Sequence, residues 1–166
     1  MTDRVQGSCH CGAQRFAAPA PETVTQCNCS SCTKRGTLAA YYAPGEVELS
    51  LTPATLAAYQ WGDRMMTFHH CVTCGCAVFA ESDAWTTDEG EARPARITLN
   101  ARLFDDFDLD AVPVRHVDGA TTGDLADAGR TAPRRASDYS ELSSLKSLVL
   151  LGSWSCKIGG FDELGQ

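Results

Sequence analysis

Cys27-Asn28-Cys29-Ser30-Ser31-Cys32 places three thiols within six residues, in the pattern C-x-C-x-x-C. A thiolate is a soft donor that suits zinc, which takes four tetrahedral ligands at about 2.3 Å for sulfur. So short a turn can wrap Cys27, Cys29 and Cys32 around one ion, yet it contains no further soft donor. Three protein ligands with an open position are the usual form of a catalytic zinc, and a closed set of four is structural. Spacing alone leaves both open: a fourth ligand for the triple is available in Cys76, His70, His69 or Cys156.

Two further pairs flank the triple. Cys9 and Cys11 form a C-x-C between Gly7 and Gly12, and Cys71 and Cys74 form a C-x-x-C followed by Gly75. Two such knuckles meeting across a sheet make a closed four-cysteine zinc site that ties the start of the chain to its middle. Cys76 can also serve as a small buried hydrophobe. His10 lies inside the first knuckle and should point away from the metal, and His116 alternates with Val114 and Val117 as a packed strand residue does.

The chain has 166 residues, nine cysteines, a hydrophobic fraction of 43% and a net charge of −7. That length supports a real core and one domain with an appendage. No apolar run is long enough to span a bilayer, and Met1–Arg4 begins no signal peptide, so a cytoplasmic protein is expected. In that reducing setting clustered cysteines read as metal ligands rather than disulfides. The acidic balance argues against a nucleic-acid surface, and the basic cluster Arg130 to Arg135 has no interleaved aromatics.

The elements that must position these thiols are short strands. Gln14–Ala17, Thr23–Gln26, Glu46–Leu51, Thr55–Tyr59, Met65–His70, Ala77–Glu81, Arg96–Asn100 and Val112–Val117 read as strands, broken by turns such as Pro44-Gly45. Ser82–Pro94 reads as a loop, and no stretch before residue 118 shows a helical apolar period. The body is therefore expected to be mainly β, over residues 1–118. Residues 119–166 read as a linker and tail, with a helix over 138–151 capped by Ser137 and stopped by Gly152. The tail should be dispensable for the zinc core, with Cys156 unliganded.

G-S-C-H-C-G at the start, C-N-C-S-S-C-T-K-R-G, and H-C-V-T-C-G near residue 71 resemble the glutathione-dependent formaldehyde-activating enzyme family, which includes the centromere protein V relatives. The resemblance covers Val5 to Asp118, and the three blocks in this order are specific for the family. It implies a β-tent fold of small antiparallel sheets around two zinc ions. It implies a structural zinc on Cys9, Cys11, Cys71 and Cys74, and a catalytic one on Cys27, Cys29 and Cys32. It also implies condensation of glutathione with formaldehyde, a carbon–sulfur lyase reaction run in reverse. Glutathione carries two carboxylates, so an acidic protein needs local cations to hold it. Lys34 and Arg35 directly follow the triple, and Arg102 and Arg64 are weaker choices. The competing class is a non-catalytic module with two structural zincs that acts as a binding or scaffold protein. A thiol–disulfide role for Cys71 and Cys74, or for Cys74 and Cys76, fits less well, because the C-x-x-C lacks a strand-to-helix context.

Overall fold

In chain order the strands are β1 (Arg4–Ser8), β2 (Arg15–Pro19), β3 (Val24–Cys27), β4 (Ala39–Tyr42), β5 (Glu48–Ser50), β6 (Leu56–Gln60), β7 (Met66–Cys71), β8 (Ala77–Ser82), β9 (Trp85–Thr86), β10 (Ala92–Arg93), β11 (Arg96–Asn100) and β12 (Val114–Val117). Among the described residues one α-helix, α1 (Ser30–Arg35), follows β3. This computed structural model describes residues 4–87, 90–121 and 125. The helix expected over 138–151, the basic cluster at Arg130 to Arg135, and Cys156 lie outside the described residues.

Seven strands form the main sheet in the order β12-β3-β4-β11-β8-β7-β6, antiparallel except for the parallel pair β3 and β12. A second sheet, β1-β2-β5, is antiparallel throughout. The protein is mainly β, and its small sheets meet around the cysteine knuckles as the resemblance implies. The core between the sheets includes Phe16, Ala18, Val24, Ala40, Val78 and Leu99. Full burial of a side chain the size of Leu99 contributes about 2 kcal/mol. Phe16 meets Phe104 edge-on at 5.6 Å, which ties the smaller sheet to the segment after β11. No helix among the described residues is long and apolar enough to cross a membrane.

The structure corrects the sequence reading at several points, and β1 and β4 are strands beyond those expected. Residues 30–35 are helical. Six residues are too few to show a 3.6-residue period, so α1 is set by its ends. Cys29 caps it by accepting from the Cys32 N–H, and Gly36 closes it in the left-handed conformation. Within the expected loop Ser82–Pro94, β9 and β10 pair as a two-residue ribbon. The last strand begins at Val114 because Asp108 caps a single 3₁₀ turn over Leu109–Ala111.

Candidate metal centres

The first centre is built from two matching turns. β1 leads into Cys9 and Cys11 and β2 leaves them, while β7 and β8 flank Cys71 and Cys74. Gly12 and Gly75 each follow the last cysteine of their knuckle, at φ 74° and 76°. A left-handed residue there lets the chain double back under the thiols at no steric cost. The Gln14 N–H points at Cys9 Sγ at 3.3 Å. The fully buried Gln14 side chain also donates to Thr55 Oγ1 at 2.9 Å and to the Thr52 carbonyl at 3.1 Å. The Val72 N–H in turn donates to the Thr55 carbonyl at 2.9 Å. One buried amide thus links both knuckles, which stand 60 residues apart in sequence at Cys11 and Cys71.

The four sulfurs lie within 4.8 Å of one another, with Cys11 Sγ 3.6 Å from both Cys9 Sγ and Cys71 Sγ. Tetrahedral zinc–sulfur bonds of about 2.3 Å require sulfurs about 3.8 Å apart. The set is therefore sized for such an ion and too open for a disulfide, whose sulfurs lie about 2.05 Å apart. Backbone N–H groups of Cys76 and Cys11 hold the Cys74 thiol down at about 5. The Ala13 N–H also lowers Cys11, but desolvation and hydrogen bonds to the neighbouring thiols outweigh it and leave Cys11 at about 12. Without metal the cluster thus shares protons among its sulfurs, and loading must displace them.

The second centre stands where β3 passes into α1. Cys27 ends the strand, Cys29 caps the helix and Cys32 lies in its first turn. The Cys29 N–H points at Cys27 Sγ at 3.4 Å, and the Cys32 N–H at Cys29 Sγ at 3.5 Å. Burial raises Cys27 and pushes Cys32 up to about 12. Burial also acts on Cys29, but N–H donation from Cys32 and its neighbouring thiols leave it below its ordinary value. These three sulfurs also fall within 4.8 Å of one another, and no other donor among the described residues joins them. Cys76 sits beside Cys74 and Cys9 rather than beside the triple. His69 Nε2 donates to Glu81 Oε1 at 2.8 Å, and its ring stacks on Phe79 at 4.2 Å.

Residues after β12 reach back over this triple. Asn28 Nδ2 donates to Asp118 Oδ1 at 2.7 Å, and Asn28 Oδ1 accepts from the Ala120 N–H at 2.9 Å. Gly119 is clamped between them, and a Cβ there would stand 2.5 Å from Cys27 Sγ and 3.2 Å from Cys29 Cβ. The segment just past residue 118 is thus in contact with the site. Gly119→Ala should displace the Cys27 thiol and reduce the metal content by one equivalent per chain, as read by elemental mass spectrometry. Two equivalents held as tightly as in the parent protein would show that this contact is slack.

The triple opens on a cavity of about 230 Å³ walled by Met66, Phe68, Leu99 and Val117 among others. A neighbouring, wider groove of about 390 Å³ is lined by Lys34, Arg35, Tyr59, His70, Gly75 and Ala77. Arg35 and Ala77 belong to both. The Arg35 guanidinium lies over Phe68 at 4.3 Å and Tyr59 at 4.9 Å. Arg64 and Arg102 are exposed and line neither space. Sequence reasoning missed Arg96, which lines the inner cavity and lies 4.8 Å from the Tyr41 ring centroid. Its signal is the alternation of β11, which sends Arg96 and Thr98 to one face, with Tyr41 the cross-strand partner of Thr98.

The family model described as glutathione-dependent formaldehyde-activating enzyme matches residues 4–117. The chain belongs to this family. The match takes in both cysteine sets and ends at the last residue of β12, just before the Asp118–Ala120 clamp. A crystal structure of a Rhodobacter sphaeroides protein is similar in fold, with a TM-score of 0.51 and 23% identity over 66% of this chain and 98% of that one. No curated protein matches the chain significantly. The cysteine clusters of this family member suit metal ions in number, spacing and donor type.

Proposed function

We propose that the protein is a zinc-dependent, carbon–sulfur lyase-like enzyme that joins a small thiol, glutathione in the first instance, to formaldehyde or a related aldehyde, or runs that addition in reverse. Zinc on Cys27, Cys29 and Cys32 is the catalytic ion in this reading, and zinc on Cys9, Cys11, Cys71 and Cys74 holds the fold. The observation that carries it is a three-thiol set with no fourth donor among the described residues, set in a cavity wall. Zinc in such a site would supply a Lewis acid that keeps a thiol deprotonated near neutral pH.

The chain's own residues supply the rest. Lys34 and Arg35 line the wider groove and offer cations to the carboxylates of a thiol tripeptide. Apolar walls at Met66, Phe68 and Leu99 exclude water from the reacting atoms, which strengthens each charge contact inside. In the addition a sulfur lone pair forms the S–C bond. The carbonyl π pair moves to oxygen, which takes up the proton that the thiol released. No electron is gained or lost, so no redox partner is needed. Eight free thiols among the described residues suit a reducing compartment such as the cytoplasm.

Cobalt-loaded protein provides the test. Glutathione at millimolar concentration should alter the cobalt–thiolate absorption, and formaldehyde added next should alter it again. An unchanged spectrum, with a fourth protein ligand found on the metal, would leave two structural ions and a binding module. A response to other thiols but not to glutathione would keep the chemistry and discard the tripeptide.

A further inference from the structure

A regular row of side chains underlies the inner cavity, and its last member, Tyr59, lines the wider groove. Tyr41, Thr98, Ala80, Phe68 and Tyr59 are successive cross-strand partners on β4, β11, β8, β7 and β6. Cross-strand partners share a face of the sheet, so these five side chains form one row. Its ends are aromatic and its middle, Thr98 and Ala80, is small. Each end carries a guanidinium, Arg96 over Tyr41 and Arg35 over Phe68 and Tyr59. Adjacent strands lie about 4.8 Å apart, so the strands bearing Tyr41 and Phe68 are about 14 Å apart. The small central residues leave a trough between the two cations.

Neither guanidinium meets a carboxylate among the described residues, where the ion pairs are Arg4 with Glu48, His69 with Glu81, and Arg93 with Glu91. In a chain of net charge −7, two arginines held on aromatic faces and left without acids mark a place for an anion. Arg35 also faces the wider groove, where the tripeptide is placed above, so Arg96 is the cation left for another group. Arg96 is exposed yet lines the cavity, and so stands at its mouth.

Size points the same way. A water's share of liquid volume is about 30 Å³, so a cavity of about 230 Å³ has room for roughly eight such volumes. Formaldehyde has two heavy atoms. An ion on the triple, an incoming sulfur and a one-carbon aldehyde would still leave apolar lining uncovered, and unfilled space forfeits the dispersion contacts that its lining offers.

Resting on the thiol-addition reading, we propose that the carbonyl partner is an anionic aldehyde with an apolar body of about six to eight heavy atoms, its carbonyl directed to the triple and its carboxylate received by Arg96. Arg96 is then a specificity-determining residue, since a planar guanidinium can receive a carboxylate through two parallel hydrogen bonds.

The test uses the full-length, zinc-loaded protein and no thiol. Binding of 4-formylbenzoate, benzaldehyde and formaldehyde is measured by saturation-transfer NMR and calorimetry. 4-Formylbenzoate should bind at least tenfold more tightly than benzaldehyde. Arg96→Gln should erase that difference while leaving benzaldehyde binding unchanged, and Arg96→Lys should restore part of it. Equal binding of the two aromatic aldehydes, an Arg96→Gln protein that keeps the preference, or no binding of either would overturn the proposal. Because no thiol is present, these results stand apart from the cobalt experiment. A cobalt response to glutathione without selective aldehyde binding keeps the addition chemistry and rejects this substrate. Selective binding without a cobalt response does the reverse.

Discussion

Cys74→Ser should cost the protein its fold. The four-sulfur centre joins knuckles that belong to different sheets, and Cys71 and Cys9 at its heart are almost wholly buried. Apparent binding energies for structural zinc in small domains are about 10–16 kcal/mol. Whole domains are stable by only about 5–15 kcal/mol, so losing most of that binding exceeds what the core can absorb. A serine hydroxyl is a hard, protonated donor and does not replace a thiolate. The soluble yield should fall sharply, and any soluble remainder should lack at least one metal equivalent and melt far below the parent. A soluble Cys74→Ser protein with full metal content and an unchanged Tm would remove the structural role from this centre.

Cys29→Ser should behave in the opposite way, losing one metal equivalent and all response to thiols while keeping its fold. Cys29 caps α1 through its side chain, and serine is among the best residues for that task. The helix therefore stays closed while the metal loses one of three soft ligands. The other centre, on different strands, is untouched. The checks are one metal equivalent instead of two, a Tm within a few degrees of the parent, and a cobalt spectrum indifferent to glutathione. Retention of both equivalents would exclude Cys29 as a ligand. Unfolding on this substitution would make the triple a second structural site.

The contrast between these variants could be framed from residue spacing, because knuckles and strands are local signals. A C-x-C or C-x-x-C followed by glycine states its turn within five residues, and alternation in segments such as Arg96–Asn100 states a strand. What escaped the sequence is long-range or too short for a period. Helix α1 is set by a thiol cap that no cap rule anticipates. The Asn28 clamp joins residues 90 positions apart, and nothing local announces it. Arg96 looked like any strand-edge charge until the register placed Tyr41 beside it. Lys34 and Arg35, by contrast, were legible because the turn that holds the thiols also carries them, and both line a groove at the site.

The edge position of β12 bears on how long a bound ion would stay. Among the described residues β12 is the last strand of the seven, with β3 its one neighbour in that sheet and a lone bridge from Val117 to Leu125 on its other side, and the clamp over Cys27 hangs from its end. Edge elements with few buried contacts open at far lower free energy than core strands. An ion held by the triple would therefore be released when this strand lifts, on the timescale of local opening. An ion between the two knuckles would leave only when the sheets themselves part. Ions at the two centres of one small domain would then have residence times set by different events, as the proposed division between a working and a fold-holding ion requires.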